Sequence, residues 1–549
     1  MMETFLLALF NILDITTLTF MVIGVGAGLL AGSVPGFTIA MAIVLTLPFT
    51  FSMPPAQGLA TMISVLVGGL SGGLMSGILT GIPGTPSSVA TTFDGFPMAR
   101  RGEPGLALGI GVWSSFCGGI ISAILLVLFA PQLARIGLEF QPWDFFMLVM
   151  FALTVTASLA GSNLVKGLLA GAAGLFVRTI GEDDAVGVAR FSFGSDYLLS
   201  GFDFIAVLIG LFAFSQLLSD LRDPVAARKS LSDQKQVKVR IEHRRAIGIL
   251  IKNWSVVIKS AFIGMFTGIL PGAGGSIANI LAYDQAKKSA KDNSQFGKGD
   301  PRGIIAPEAS NNAVEGGALT PLMALGIPGD ITAAIMLGAL LMHDIVPGPT
   351  FISDEPVLSY SIFIAFFLAN FIMLALQSGV LRIFVQVTRI KTYVLATGIL
   401  TFATIGVFAL HNSTEDILTL FFFGILGFAM RQFGFPIAPM ILGVVLGDIA
   451  ELNLARALAI NADPMLFITR PWSLFFTIIA LFSMLFPIYQ NQRDKGTLLA
   501  KLYAPFMLLA LSVPLFMMGG NVRPILAVIA IATGGFILWR RFQSNASPS

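Results

Sequence analysis

Apolar stretches long enough to cross a bilayer recur along nearly the whole chain, separated by short polar turns. About 20 apolar residues span the hydrocarbon core, which predicts roughly a dozen spanning or re-entrant helices. Spans are expected near 105–129, 143–160, 163–180, 201–220, 357–380, 392–410, 414–430, 434–450 and 471–489, with two more within 503–539. The one long polar stretch runs from about 220 to 253 and reads as a solvated connector. It divides the chain into a first membrane half (1–220), the connector (221–253), a second membrane half (254–490) and a C-terminal extension with two extra spans (491–549). A second polar insert, 284–302, lies inside the second half.

Within this pattern the helix breakers are duplicated. Gly28-x-x-x-Gly32 leads into Pro35-Gly36 and Thr38, and Gly264-x-x-x-Gly268 leads into Pro271-Gly272-Ala273-Gly274-Gly275-Ser276. Each is followed by a Gly-Ile-Pro-Gly tetrad, Gly81–Gly84 with Pro83 and Gly326–Gly329 with Pro328. Proline removes a backbone donor and glycine frees the dihedrals, so both places should interrupt a helix inside the membrane region. Irregular backbone survives there only when buried in protein or lining a wet cavity. Paired interruptions at corresponding places in two halves point to a midplane binding site. The expected fold is an all-α polytopic membrane protein, a pseudo-symmetric two-repeat carrier with broken or re-entrant helices. Plain structural kinks are the competing reading, and Gly24-x-x-x-Gly28-x-x-x-Gly32 taken alone is a helix-packing stripe.

The residues after the tetrads carry the candidate chemistry. Thr85-Pro86-Ser87-Ser88 reads as an N-cap, a proline at the first helical position and two further hydroxyls, a combination suited to an anion. After the second tetrad, Asp330 can cap a helix, but its charge would attract a cation. Upstream lies Ala306-Pro307-Glu308-Ala309-Ser310-Asn311-Asn312-Ala313-Val314-Glu315. Two asparagines and two carboxylates in an apolar run are costly unless paired, hydrated or bound to something. The expected substrate ligands are therefore the two breaks, the two tetrads, Thr85, Pro86, Ser87, Ser88, Asn311 and Asn312. Asp330, Glu315 and Glu308 are the expected coupling-ion ligands. Stabilising a loop cap is the alternative role for Glu308 or Glu315.

Composition narrows the class. The chain of 549 residues is 55% hydrophobic and 11% charged, with mean hydropathy +0.85, against about 25% charged residues in soluble domains. A net charge of +3 gives no reason to expect a nucleic-acid partner. No G-x-x-x-x-G-K-[ST] is present, which excludes that route to ATP, and His243, His343 and His411 form no metal spacing. An ion gradient is the expected energy source, with Na⁺ or H⁺ as coupling ion, no cofactor, and Na⁺ as the only metal expected. Cys117 reads as a small core side chain. Lys and Arg are absent from the first 99 residues, so no cleavable signal peptide is expected. Basic residues at 100–101, 222–259, 382–391, 493–501 and 540–541 are expected inside. The acid-rich 182–203 segment (with Asp184) and Asp354-Glu355 are then outside, giving an outer N-terminus and a cytoplasmic C-terminus.

Several long motifs resemble the large membrane subunit of the tripartite tricarboxylate transporters, the TctA family. They are GIPGTPSSVATTFDGFPMARRGEPGLALGIG (81–111), LPGAGGSIANILAY (270–283), APEASNNAVEGGALTPLMALGIPGD (306–330), FGFPIAPMILGVVLGDIAELNLARAL (433–458) and DPMLFITRP (463–471). The resemblance covers about residues 15–490. It implies a bacterial inner-membrane secondary carrier that takes up di- or tricarboxylates with Na⁺ or H⁺. It also implies a small membrane subunit (TctB-like) and a periplasmic solute-binding protein (TctC-like) as partners. Glu315 and Asp330 stand where the family pattern has small or uncharged residues, and two extra acids argue against a citrate-like charge on the substrate. The two C-terminal spans lie beyond the family core and could stand in for contacts of the small subunit. Rival readings are an intramembrane enzyme using Glu308, Asp330 and His343, and a non-transporting scaffold.

Overall fold

A computed structural model describes residues 2–159, 163–183, 187–222, 239–387, 392–493, 495 and 497–546. Asp184, most of the connector (223–238) and 388–391 with Lys391 lie outside the described residues. The first eighteen long helices fall into two series of nine. The first series is α1 (Met2–Leu13), α2 (Ile15–Ser33), α3 (Ile39–Thr50), α4 (Pro55–Thr80), α5 (Val89–Arg100), α6 (Pro104–Gly137), α7 (Pro142–Leu159), α8 (Leu164–Arg178) and α9 (Phe204–Leu221). The second is α10 (His243–Lys252), α11 (Trp254–Ile269), α12 (Gly274–Ser289), α13 (Arg302–Leu325), α14 (Ile331–Met342), α15 (Pro356–Val387), α16 (Thr392–His411), α17 (Thr414–Gln432) and α18 (Ile437–Ile460). Three more follow, α19 (Pro471–Arg493), α20 (Leu498–Met517) and α21 (Arg523–Ala546). Among the described residues ten helices are long and apolar enough to cross a membrane, and α10–α11 adds a pair bent by 83°. The all-α polytopic fold is the expected one.

The two series pack in matching pairs. In the larger unit, residues 1–138 and 202–433, α2 lies on α4 as α11 lies on α13. Likewise α6 packs on α13 as α15 packs on α4, and α1 meets α15 as α10 meets α6. Glycine makes the closest pairs possible. A Cβ on Gly28 or Gly32 would sit 2.1 Å from the Val65 oxygen or 2.0 Å from the Gly69 oxygen. On Gly264 or Gly268 it would sit 2.1 Å from the Ser310 or Val314 oxygen. Backbones in direct contact leave no room for any side chain, so the small-residue stripe is a packing device in both series.

The interruptions are real. Helix α2 stops at Ser33 and α3 restarts after the Thr38 cap, whose hydroxyl accepts from the Met41 amide at 3.2 Å. Helices α4 and α13 both end on a left-handed glycine, Gly81 (φ 78°) and Gly326 (φ 73°), a conformation that penalises a Cβ. In α9, residues Gly210–Phe214 form a π-helical turn, with Gly210 against the Leu420 oxygen of α17.

The smaller unit, residues 139–201 and 434–549, contains α7, α8 and α18–α21. Helix α18 packs on α7 and α8, and α9 packs on α16 and α17 of the larger unit in the same pattern. A Cβ on Gly174 would meet the Met440 oxygen at 2.0 Å. Arg178 pairs with Asp448, and Arg190 with Glu451. Asp144, fully buried, accepts from the Ser473 hydroxyl at 2.6 Å and from the Ser473 amide at 3.0 Å, fastening α19 to α7. In the extension, the Tyr503 hydroxyl donates to the Phe482 carbonyl at 2.6 Å and its ring stacks on Tyr489, centroids 4.5 Å apart.

Candidate functional site

Each tetrad closes onto the helix end of its own break. The Gly84 amide donates to the Gly73 carbonyl at 3.3 Å, and the Gly329 amide to the Ala318 carbonyl at 3.4 Å. A Cβ on Gly84 would lie 2.2 Å from the Gly32 oxygen, and one on Gly329 would lie 2.0 Å from the Gly268 oxygen. The Gly272 amide then donates to the Gly329 carbonyl at 3.0 Å, tying the second break to the second tetrad. Pro83 and Pro328 lie in the short non-helical links that these bonds hold.

After the first tetrad, Thr85 caps a single 3-10 turn, Pro86–Ser88, that runs into α5. The Ser88 hydroxyl closes the cap, accepting from the Thr85 amide at 3.3 Å and donating to its carbonyl at 2.9 Å. Thr85 Oγ1 and Ser87 Oγ are 3.1 Å apart. Thr85, Ser87 and Ser88 are buried, whereas Pro86 is exposed.

One junction brings the second break, the turn after the first tetrad and Asn311 together. Gly275 lies where a Cβ would be 2.7 Å from Asn311 Oδ1 and 2.8 Å from Ser87 Cβ. The second break, the turn after the first tetrad and the asparagine of α13 therefore meet at one point. Asn311 is fully buried; its Nδ2 donates to the Leu70 carbonyl at 3.1 Å, and its Oδ1 has no partner. Asn312 is instead paired at both amide atoms, accepting from Ser71 Oγ at 3.1 Å and donating to the Glu308 carbonyl at 3.3 Å. The first break does not reach this junction: Gly36 is exposed, its nearest side chain being Asp220, with an oxygen 3.4 Å from where a Cβ would lie. Ser276 is also exposed.

The acids separate into two groups. Asp330 caps α14, accepting from the Ala333 amide at 2.8 Å and the Thr332 hydroxyl at 2.7 Å. The same hydroxyl lies 3.3 Å from both oxygens of Glu315. Both carboxylates are buried, and Gly274 (φ 55°) sits beside Asp330. Two buried carboxylates around one hydroxyl repel each other unless a cation or proton joins them. Glu308 lies two turns away along α13, its oxygens held by Thr91 at 2.5 Å and Ser115 at 2.7 Å. His343 lies against Gly58, and among the described residues no hydrogen bond links Glu308, Asp330 and His343.

Three features escaped the sequence reading. Asp94, fully buried on α5, accepts from the amides of Gly297, Gly299 and Asp300 at 2.7–2.9 Å and from the Tyr283 hydroxyl at 2.9 Å. It pins the polar insert 284–302 to the first series. Asp203, His411 and Asp416 place their ligand atoms within 4.8 Å of one another, a set that could hold a metal ion. Their separation in sequence hid them, since spacing rules look for neighbours. Asn279, one turn beyond Gly275 on α12, is fully buried with neither amide atom bonded.

A break in the second series that meets the turn after the first tetrad beside a buried hydroxyl and a buried amide, in an all-helical polytopic fold, has the form of a broken-helix membrane transporter. The chain belongs to the tripartite tricarboxylate transporter TctA family, whose model matches residues 18–442. It is 31% identical over 477 residues to an uncharacterized 52.8 kDa protein in the TAR-I ttuC' 3' region of Agrobacterium vitis, covering 86% of this chain and 94% of that protein. An uncharacterized protein in the TAR-II ttuC' 3' region of the same organism is 31% identical over 236 residues, covering 42% of this chain and 98% of that protein. No solved structure matches.

Proposed function

We propose that the chain is the large transmembrane subunit of a binding-protein-dependent secondary transporter that imports small organic di- or tricarboxylates across the bacterial inner membrane. The observation that carries this reading is the junction of Gly275, Ser87 and Asn311, where a buried hydroxyl of the first series and a buried amide of the second approach the same glycine. The Thr85, Ser87 and Ser88 hydroxyls and the amide end of α5 hold a substrate carboxylate, in the polarity that helix N-termini favour. Asp330 and Glu315, bridged by Thr332, take the coupling cation, Na⁺ or H⁺. Asn312 and Glu308 brace α13 from within. Movement of the helices flanking the breaks opens the junction to alternate sides. A small membrane subunit and a periplasmic solute-binding protein complete the assembly, and α20–α21 supply part of the small subunit's contacts.

The test is uptake by proteoliposomes of a carboxylate panel, with Na⁺ and pH gradients applied separately and the cognate binding protein added. Accumulation of a carboxylate that collapses with one gradient is expected. Conversion of substrate without its passage across the bilayer, or no accumulation under either gradient, overturns the reading.

A further inference from the structure

The least expected group near the junction is Asn279, one turn further along α12. Helix α12 presents Gly275, Asn279 and Tyr283 along one face at i, i+4 spacing. Gly275 meets Ser87 and Asn311, and Tyr283 donates to Asp94. Asn279 is therefore held between two fixed layers, facing α5 and α13. It is fully buried, and among the described residues neither its Nδ2 nor its Oδ1 has a partner. Leaving a buried amide unmet is destabilising, so the group needs a reason to be there.

The repeat shows that the fold does not supply that reason. The glycine contacts fix the register: Gly32 on Gly69 corresponds to Gly268 on Val314, and Pro35-Gly36 to Pro271-Gly272. In that register Ile43 occupies the place of Asn279, and Leu66 the place of Asn311. Both are fully buried. The same packing is thus made with apolar side chains in the first series, and the amides of the second series are additions to it.

What remains open at the junction defines a chemistry. Asn279 offers a donor and an acceptor, and Asn311 offers an acceptor. A carboxylate presents only acceptors, so it satisfies the Asn279 amide nitrogen but neither free oxygen. A hydroxyl on the carbon next to the carboxylate supplies a donor for one of those two oxygens. Resting on the carboxylate-carrier reading above, we infer that Asn279 is a specificity-determining residue that, with Asn311, selects hydroxylated carboxylates over their deoxy counterparts.

The experiment compares malate with succinate and citrate with tricarballylate in proteoliposome uptake. Wild-type protein should half-saturate at least tenfold lower for the hydroxylated member of the pair it transports. Asn279→Leu should raise that value to the deoxy level while raising the thermal midpoint, because an unmet amide is replaced by an apolar side chain of similar size. Equal half-saturation of wild-type protein for both members overturns the inference and leaves the carrier reading standing. So does a preference that survives Asn279→Leu. If that variant does not reach the membrane, Asn279→Ser is judged by the same loss of preference. Absence of uptake for all four compounds under both gradients fails the carrier reading itself, a distinct result.

Discussion

Replacing Gly275 by alanine places one methyl group into the junction. The new Cβ would lie 2.7 Å from Asn311 Oδ1 and 2.8 Å from Ser87 Cβ, distances at which something must shift. Neither neighbour yields freely: Asn311 is tied to the Leu70 carbonyl, and Ser87 lies within the capped turn Pro86–Ser88. Overpacking of this kind costs about 1–3 kcal/mol. Alanine also gains up to about 1 kcal/mol over glycine inside a helix, and that gain must be separated out. Gly26→Ala provides the comparison, because nothing lies within 4 Å of a Cβ there. The difference between the two variants isolates the crowding. Expressed at the substrate site, it corresponds to roughly a 5- to 150-fold rise in half-saturation at 1.4 kcal/mol per decade. Proteoliposome uptake curves and thermal unfolding in detergent measure the two effects. Gly275→Ala protein with the half-saturation and midpoint of Gly26→Ala would refute the proposed geometry.

Asp330→Asn keeps a side-chain cap for the Ala333 amide but removes one of two facing charges, so expression should hold while the Na⁺ or pH dependence of uptake weakens; unchanged ion dependence removes Asp330 from the cation site. Ser87→Ala with Ser88→Ala should raise half-saturation and lower stability by about 1 kcal/mol through the lost cap, as read from uptake curves and melting. Asp94→Ala strands three amides and the Tyr283 hydroxyl, costing on the order of 3 kcal/mol, and hydrogen exchange should accelerate at 297–300. Exchange that stays at the wild-type rate there would mean the insert is held by other contacts.

Much of this was legible from the chain because breakers and small residues act locally. Pro35-Gly36 and Pro271-Gly272 stop helices whatever surrounds them, and a three-residue glycine interval prescribes close backbone approach. Thr85 and Asp330 announced their caps by position. Partnership between distant residues was not legible. Nothing near Asp94 says that amides 203 to 206 positions later will bind it. Asn279 sits inside a motif that reads as plain helix, and only the fold shows that both its amide atoms are unmet. Conversely, Gly36 and Ser276 have the right residue types for a site, yet their backbones present them to the exterior, which residue type alone does not report.

That α9 packs with helices of the second series, and α18 with helices of the first, has a consequence for biogenesis. Helix α9 finds its neighbours in α16 and α17, and α7 and α8 find theirs in α18. A nascent chain that has emitted only its first 222 residues can therefore complete neither body. Helix α9 must wait in the bilayer until translation passes residue 432, and α7 and α8 until it passes residue 460, a delay during which insertase or chaperone shielding of the unmated faces would govern yield.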